Sequence, residues 1–349
     1  MPGINTEMIK VSWRCPSNIA IVKYWGKKEN QFPCNASVSM TLTNSFTEIE
    51  MHLSEKKSIE EIALNYFFEG KENEQFKQRL LRYLISIKPG LPFLRDWGLT
   101  INSKNSFPHS AGIASSASAF GALALCLSDL SYNYFQEKKE EDFLQSASRL
   151  ARLGSGSACR SVYPGFVLWG DTKDLPGSSD EFAVPITGIH QNFKDLRDAI
   201  LIIEKEPKKV SSSAGHALMK DHPFANNRFE QANQRASRML KVLSTGDWEE
   251  FIYIAESEAL TLHAMMLTSK DYYLLMKPGT LKAIEKITNF RNDTKIPVCF
   301  TLDAGPNLHV LYPASDKHAV NEFLKNDLRD CVEEIIFDKL GKGPEKIKS

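Results

Sequence analysis

A run of small residues at positions 105–119, NSFPHSAGIASSASA, leaves few structures open to this part of the chain. The apolar stretch FGALALCL follows at once, and its Phe120, Leu123 and Leu127 recur at the spacing of one helix face. The pattern predicts a buried helix that begins within the small residues. The N-terminus of a helix offers free backbone N–H groups and a positive dipole end, which a phosphate can approach past small side chains. We therefore predict a phosphate-binding turn, although a Ser/Ala-rich helix start is also typical of tight helix packing.

Length and charge indicate a two-domain protein without a strong attraction to polyanions. The chain has 349 residues, with 43 Lys and Arg against 43 Asp and Glu. Its six cysteines include no CxxC pair, which is typical of reduced thiols. No stretch resembles a signal peptide or reaches the ~18 apolar residues that a membrane span needs. We predict a cytoplasmic protein with no nucleic-acid or membrane partner.

Strand and helix patterns alternate along the chain. The predicted strands are 18–24, 38–42, 166–169, 199–203, 298–302 and 308–311. The predicted helices are 115–130, 141–153, 227–243, 248–266, 280–290 and 317–328, with Gly154 as a stop signal for the second. The weak pattern over 171–195 predicts a seam between an N-terminal domain, 1–190, and a C-terminal domain, 191–349.

Two lysines lie at the end of the first predicted strand, in the stretch NIAIVKYWGKK. Lys23 and Lys27 stand on either side of an aromatic pair and a glycine. Two ammonium groups near a strand end can bind a polyanion. Solvated lysines at a strand end explain the pattern equally well, because Lys is mostly an exposed residue.

An arginine follows a glycine-rich turn in the stretch LGSGSACRSVYPG. Two serines flank Gly156, and Arg160 comes four residues later. Backbone N–H groups, hydroxyls and a guanidinium fork suit a phosphate or a carboxylate. A flexible turn before a surface arginine is the alternative.

A single carboxylate ends a predicted strand in FTLDAGPNLHV, where Asp303 precedes a turn at Gly305 and Pro306. An acid at a strand end is often only a turn residue that bonds its own backbone. The same placement can put a general base in a cleft, where burial and neighbours set its pKa.

Taken together, these four stretches resemble the signature set of the GHMP kinase superfamily, and within it of the diphosphomevalonate decarboxylase family. PHSAGIASSA is similar to the superfamily's ATP loop, and NIAIVKYWGKK and GSGSACRS resemble stretches specific to the decarboxylases. LDAGPN resembles the segment that bears that family's catalytic acid. PCNASVSMTL, KVSSSAG and LTLHAMML agree further, so the resemblance covers roughly residues 12–312.

The resemblance implies a two-domain α/β (α+β) GHMP kinase fold with the active-site cleft between the domains, and usually a homodimer. It implies ATP-dependent decarboxylation of diphosphomevalonate, with ATP as co-substrate and Mg²⁺ bound with the ATP rather than by a cluster of protein side chains. Asp303, Lys23 and Arg160 would be catalytic. The implied substrate-binding residues are Tyr24, Trp25, Gly26, Lys27, Ser155, Gly156, Ser157, Ala158, Cys159, Arg160 and Ser213. The implied ATP-binding residues are Ser103, Asn105, Pro108, Gly112, Ser115 and Ser116, with the last two capping the helix and Ser116 a candidate Mg²⁺ ligand.

Three positions depart from the family's pattern, and three other functions stay open. His109 stands where Thr is common, Pro164 where Gly is frequent and His216 where Met is usual. The retained Lys23, Arg160 and Asp303 argue against a mevalonate-type kinase that stops after phosphorylation, but they do not show how many phosphates the substrate carries, so a phosphomevalonate decarboxylase also stays open. Another small-molecule kinase of the superfamily explains KYWGKK and GSGSACRS poorly, and a silent ligand-binding protein predicts the loss of the acid or the phosphate loop, neither of which is lost.

Overall fold

The structure is a computed structural model that describes residues 9–56, 61–108, 113–137, 142–205 and 212–348. The described residues form two β-sheets covered by helices, which confirms the predicted mixed α/β class. Nearly all strand pairs are antiparallel, and the one parallel pair lies in the first sheet. No described helix combines the length and the apolar character needed to cross a membrane.

The first sheet is built around one long strand. Its members are β1 (Lys10–Val22), β2 (Ser37–Glu55), β3 (Leu64–Phe68), β4 (Lys71–Glu72), β5 (Trp97–Asn105), β6 (Phe166–Trp169), β7 (Ala183–Pro185) and β12 (Glu345–Lys346). The order is β12-β1-β2-β5-β3-β4, and β6 pairs with the start of β2 and with β7. Because β2 is 19 residues long, it holds β5 beside one half and β6 beside the other.

The first strand is longer than the sequence predicted and ends earlier. β1 starts at Lys10, passes Pro16 through a register shift and stops at Val22. Proline cannot donate a ladder hydrogen bond, so a sequence pattern places it outside a strand, whereas an irregular register accommodates it. Lys23 therefore follows the strand directly instead of lying inside it.

The second sheet comes from the second half of the chain. It contains β8 (Leu196–Ile202), β9 (Cys299–Thr301), β10 (Leu308–Pro313) and β11 (Glu334–Lys339) in the order β11-β8-β10-β9. Apolar residues of this sheet pack against two helices that include Ile287 and Leu324. The short β9 ends two residues before Asp303, which places that carboxylate in the connection to β10.

Eight α-helices lie within the described residues. They are α1 (Glu74–Ile87), α2 (Ser115–Asp129), α3 (Phe143–Gly154), α4 (Ser212–Ala217), α5 (Ala225–Thr245), α6 (Trp248–Leu267), α7 (Pro278–Thr294) and α8 (Lys317–Asp327). All six predicted helices are present with small shifts at their ends, and α3 ends at the expected Gly154. The sequence analysis missed α1 and α4.

The start of α2 corrects one expectation. Ser115 and Ser116 do not cap this helix, because the N-cap residue is Ala114, in a left-handed conformation with φ 43° and no side-chain cap bond. The two serines are instead the first helical residues. Their hydroxyls therefore do not cap the helix, and in the first turn the Ala117 N–H donates to the Ala114 carbonyl at 2.7 Å.

Candidate active site

One open cleft contains the residues that the sequence singled out. It encloses about 1070 Å³ of non-protein space. Its charged lining consists of four cations and one carboxylate, namely Lys23, Lys27, Arg79, Arg160 and Asp303. The remaining lining residues are Asn18, Ala20, Tyr24, Trp25, Gln31, Ala114, Ser116, Gly154, Ser155, Gly156, Ser157, His216, Leu262 and Ala304. The excess of positive charge suits an anionic ligand.

Lys23 and Asp303 form an ion pair although 280 residues separate them. The Lys23 Nζ lies 2.9 Å from Asp303 Oδ1. The lysine side chain is 2% exposed and the aspartate side chain 33%, so only the carboxylate reaches the open part of the cleft. Burial lowers the pKa of Lys23, and the charge of Asp303 acts against that shift.

The backbone around this pair is fixed by buried hydrogen bonds. The carbonyl of Lys23 accepts from Asn35 Nδ2 at 3.0 Å, and the Lys23 N–H donates to Glu258 Oε2 at 2.8 Å. The Asp303 carbonyl is 3.0 Å from His263 Nε2 on α6. Both charged groups thus project from backbone that is held on either side of the cleft.

Arg160 is a buried guanidinium at the end of a 3₁₀ turn, Gly156–Arg160. Its Nη1 donates to Ser37 Oγ at 2.5 Å, and its Cζ lies 5.9 Å from the Trp169 ring centre. Its Nε has no hydrogen-bond partner among the described residues. Burial lowers the pKa of Arg160.

The turn that carries Arg160 needs glycine at its start. A Cβ on Gly156 would lie 2.9 Å from both the Trp169 ring and the Tyr24 hydroxyl. Asn18 on β1 holds the turn by donating from Nδ2 to Ser157 O at 3.2 Å and to Ser161 Oγ at 2.7 Å. The Ser155 and Ser157 positions are therefore brought to the cleft wall beside β1.

An aromatic layer closes another wall of the cleft. The His216 ring lies 4.3 Å from the Tyr24 ring centre and 4.8 Å from that of Trp25. The Gly26 N–H donates to His216 Nδ1 at 3.0 Å, so the ring proton is on Nε2. Burial, followed by the charges of Lys27 and Arg160, lowers the pKa of His216 to about 3. The imidazole is neutral at physiological pH.

A second cavity adjoins the cleft at Arg79 and Ser116, which line both spaces. It encloses about 820 Å³. Its other lining residues are Tyr66, Phe68, Asn73, Gln75, Phe76, Ser103, Asn105, Ser115 and Ala119. Aromatic side chains and amides together suit a planar heterocycle. The Ser116 hydroxyl lies 3.2 Å from the Ser155 hydroxyl, at the boundary between the two spaces.

Several predicted site residues lie elsewhere. Ala158 and Cys159 are fully buried inside the 3₁₀ turn, and Gly26 contributes a backbone N–H but no lining surface. Pro108 is exposed and lines neither cavity. Gly112 and His109 are outside the described residues, and so is the side chain of Ser213. Pro164, one of the departures, is exposed and lies beside Gly343.

Several residues that line the two cavities were not predicted from the sequence. Arg79 comes from the unpredicted α1, where it lies 4.7 Å from the Phe120 ring centre. The aromatic wall of the second cavity comes from β3 and α1, which the sequence pattern also missed. Within the described part of the chain, no group of three His, Cys, Asp or Glu side chains could hold a metal ion.

Two family models match most of the chain. The diphosphomevalonate decarboxylase-like N-terminal domain matches residues 15–183, and the mevalonate 5-diphosphate decarboxylase C-terminal domain matches residues 199–339. The predicted boundary at residues 190 and 191 stays a prediction.

Relatives and solved structures agree with these matches. The diphosphomevalonate decarboxylase of Candida albicans is 32% identical over 328 residues, covering 91% of this chain and 88% of its own length. The crystal structure of mevalonate diphosphate decarboxylase from Staphylococcus aureus is 26% identical, with a TM-score of 0.83 over 98% of this chain and 99% of that one. A complex of MDDEF with MVAPP, AMPPCP and magnesium is 27% identical, with a TM-score of 0.81 over 98% of this chain and 100% of that one.

Proposed function

The chain belongs to the diphosphomevalonate decarboxylase family, and we propose that Asp303, Lys23 and Arg160 carry out its reaction in the cleft. The enzyme converts (R)-5-diphosphomevalonate and ATP to isopentenyl diphosphate, ADP, phosphate and CO₂. ATP is the co-substrate and Mg²⁺ accompanies it, in keeping with the complex of a similar structure with AMPPCP and magnesium. The observation that carries the proposal is the 2.9 Å pair of Lys23 and Asp303 in a cleft whose other charged lining residues are all cations.

Asp303 is proposed to orient and deprotonate the C3 hydroxyl of the substrate. This tertiary hydroxyl is a poor leaving group, so it must first become a phosphate ester. Asp303 suits the task because its carboxylate is the only anionic group that lines the described cleft and is one-third exposed. A positioned base contributes on the order of 10²- to 10⁴-fold to such a step.

Lys23 is proposed to hold the carboxylate of Asp303 and to balance charge during phosphoryl transfer. Such transfers depend chiefly on position and on electrostatic stabilisation of the phosphoryl oxygens. The buried ammonium at 2.9 Å from Asp303 supplies both. Mg²⁺, when bound with the nucleotide, adds further neutralisation of phosphate charge.

Arg160 is proposed to hold the carboxylate of the substrate in line for loss of CO₂. When the C3 phosphate leaves, C3 becomes electron-poor, and the electrons of the breaking carboxylate bond form the C2–C3 double bond. A planar guanidinium binds a carboxylate through two parallel hydrogen bonds, and Arg160 has a buried Nε without a protein partner in the described chain. The departing phosphate provides the electron sink, so no organic cofactor is needed.

The diphosphate is proposed to lie near Lys27 and the turn with Ser155 and Ser157. The Lys27 ammonium is close enough to Arg79 that the latter's charge helps lower the pKa of Lys27, after burial as the main cause. Two cations held this near each other suit a doubly charged group. The side chain of Ser213 stays a predicted contact from the sequence alone.

The second cavity is proposed to hold the nucleotide base, with the phosphates pointing toward Ser116. Its aromatic and amide lining fits a base, and its junction with the cleft at Ser116 and Arg79 leads toward Asp303. Hydroxyl and carboxylate oxygens are the ligands that Mg²⁺ prefers, and Ser116 supplies a hydroxyl at this junction. Ser103, Asn105 and Ser115 line the same cavity and remain the proposed nucleotide contacts.

A product analysis tests this function against the related ones. We expect CO₂ and ADP to form one for one with diphosphomevalonate and Mg-ATP. Mevalonate and its monophosphate should react at least about 100-fold less efficiently, because the cations around Lys27 and Arg79 then lose a charged partner. Mass spectrometry of the products from the three substrates, with ADP measured in parallel, gives the result.

Two outcomes would contradict the proposal. A stable 3-phosphate without CO₂ would indicate a kinase, and faster turnover of the monophosphate would indicate a phosphomevalonate decarboxylase. Absence of turnover with all three substrates, with nucleotide binding retained, would favour a silent ligand-binding protein.

A cytoplasmic location remains the prediction for this chain. It is supported by the six cysteines, all of which are free thiols. Four of them are buried, and reduced cysteines of this kind are typical of the cytosol.

A homodimer is proposed through the outer face of α6. The exposed positions of α6 from Tyr253 onward, Tyr253, Leu260, Ala264 and Leu267, carry no charge, although a solvated helix face is usually polar. The three larger side chains recur every seven residues and are 53%, 43% and 45% exposed. An antiparallel second copy centred on Leu260 would place Tyr253 against the partner's Leu267 and the two copies of Leu260 against each other. An uncharged face of this kind can pair with the same face of a second copy through apolar contacts.

Leu260→Asp tests this surface. We expect the parent protein to sediment as a dimer and the variant as a folded monomer, because a buried carboxylate at the centre of the contact has no partner. Ile85→Asp is the matched control, since Ile85 is 42% exposed on α1, and it should stay dimeric. Analytical ultracentrifugation with circular dichroism gives the result, and a dimeric Leu260→Asp variant would exclude this interface.

A further inference from the structure

Glu258 on α6 is a fully buried carboxylate that contacts the backbone of a proposed catalytic residue. Its side chain has 0% exposure. Its Oε2 accepts the backbone N–H of Lys23 at 2.8 Å. Because Lys23 follows β1 directly, this bond ties the end of the first strand to a helix from the second half of the chain.

Two buried arginines hold Glu258 in place. Arg228 donates from Nη1 to Oε1 at 3.0 Å and from Nη2 to Oε2 at 2.6 Å, and Arg235 donates from Nη1 to Oε1 at 2.8 Å. Both guanidiniums come from α5 and are at most 6% exposed. A buried charge is costly unless it is paired and hydrogen-bonded, and here each carboxylate oxygen has at least two donors. Apart from Lys23, the arginines give two donors to Oε1 and one to Oε2, so they hold the carboxylate independently of Lys23.

We propose that Glu258 is a positioning residue for the reaction: by holding the backbone N–H of Lys23 it aims the Lys23 ammonium at Asp303. The proposal rests on the function proposed above for Lys23 and Asp303. The backbone of Lys23 is held at both ends of the residue, by Glu258 at the N–H and by Asn35 at the carbonyl. The side chain then leaves a fixed Cα and reaches Asp303 Oδ1 at 2.9 Å.

Glu258 also sets the charge around Lys23. The charged groups that act on the Lys23 ammonium are Asp303 after β9, Glu258 on α6 and Arg160 in the 3₁₀ turn. Burial lowers the pKa of Lys23 most, Asp303 and Glu258 raise it, and Arg160 lowers it. Without the charge of Glu258, the positive charges of Arg228 and Arg235 would lose their carboxylate partner close to Lys23. The pKa of Lys23 would fall further, and the charged ammonium would be lost at a lower pH.

The same helix offers a matched control in Glu256. Its carboxylate pairs with Arg291 of α7 through two hydrogen bonds, one of them 2.5 Å and the other 3.1 Å. Its side chain is 15% exposed, so the pair is also largely buried. Glu256 faces the second sheet near Phe300 and does not line the cleft. Glu256→Gln therefore removes a comparable ion pair without touching Lys23.

The experiment compares Glu258→Gln with Glu256→Gln in steady-state kinetics across pH 6 to 10. We expect Glu258→Gln to lower kcat by about 30-fold or more with KM for both substrates within about threefold, because ligand contacts are unchanged. The basic limb of its kcat profile should move toward lower pH, as the pKa of Lys23 falls. Glu256→Gln should lose similar thermal stability but keep its kcat and the position of that limb.

Glu258→Asp provides a second variant in case the amide does not fold. It keeps the charge and shortens the side chain by one methylene, so the bond to Lys23 N–H is lost while Arg228 stays paired. We expect a lower kcat with the basic limb in its original place. Equal effects of the Glu258 and Glu256 variants on kcat, or an unmoved basic limb in Glu258→Gln, would overturn the proposal. Lack of decarboxylation by the parent enzyme would instead refute the proposed function, so the two failures are distinguishable.

Discussion

Asp303→Asn is expected to lower kcat by about 1000-fold or more while the fold and nucleotide binding are kept. The amide has nearly the same volume as the carboxylate, so the turn after β9 has no reason to rearrange. It cannot accept the proton of the C3 hydroxyl, and it leaves the buried Lys23 ammonium without a charged partner at 2.9 Å. General base catalysis accounts for roughly 10²- to 10⁴-fold, and the disturbed ammonium adds to that loss. Steady-state kinetics and calorimetric titration with an ATP analogue measure the two quantities.

Asp330→Asn is the control for this change. Asp330 is a carboxylate that pairs with Lys282 and Lys286, both on α7, at 2.7 and 2.8 Å, and it does not line the cleft. The control therefore makes the same chemical change at an ion pair far from the proposed chemistry, and its kcat should stay within about twofold. If Asp303→Asn kept within about threefold of the parent rate, equivalent to under 1 kcal/mol of barrier, Asp303 would be only a turn residue.

The sequence could point to Lys23, Arg160 and Asp303 as candidates because each lies where a strand or a turn ends. Lys23 follows β1 and Asp303 follows β9, so each charged residue interrupts an apolar run and is easily noticed, although a turn or a solvated strand end could explain it as well. The sequence could not show how close Lys23 and Asp303 lie in space. The 2.9 Å contact depends on how the first sheet packs against α6 and the second sheet, and no local pattern encodes that packing. The resemblance to a family indicated that Lys23 and Asp303 act in one site, and the structure gives the distance between their side chains.

Residues whose role depends on tertiary contacts had no usable signal. Glu256 and Glu258 look alike in the sequence, two acids on one amphipathic helix, yet one pairs with Arg291 and the other holds Lys23. Arg79 has the pattern of a solvated helix residue and lies instead where the two cavities meet. The left-handed conformation of Ala114 could not be predicted from the sequence either. Alanine rarely adopts a φ of 43° unless its surroundings constrain it.

Strands were missed for a related reason. β5 (Trp97–Asn105) alternates buried and partly exposed residues. It has so few apolar side chains that its sequence resembles that of a loop. β3 is short and pairs with β5 in parallel, so its partner is distant in sequence. The six helices that were predicted could be found because their period repeats over more residues than a five-residue strand can show, although the 14-residue α1 was still missed.

Arg160→Met should lower kcat/KM for diphosphomevalonate by about 1000-fold, and ADP and CO₂ should fall together. Truncating one partner of a buried charged hydrogen-bonded pair costs about 2–5 kcal/mol, which is the range of this loss. The methionine keeps an unbranched side chain in the buried position and removes the guanidinium, whose Cζ lies 5.9 Å from the Trp169 ring centre. Because the same guanidinium would fix the substrate before transfer, the phosphoryl step should slow as much as the loss of CO₂.

Arg152→Met separates this effect from a general loss of stability. Arg152 is also a buried arginine, 4% exposed, and it comes from the adjacent α3. Its Nε donates to the Glu181 carbonyl at 2.7 Å, and its guanidinium lies 4.5 Å from the Phe32 ring centre, so its contacts are structural. The Arg152 variant should melt earlier but keep kcat/KM within about threefold. If Arg160→Met made ADP without CO₂, the guanidinium would act only after transfer, since a residue that holds the reactive pose must slow both steps at once.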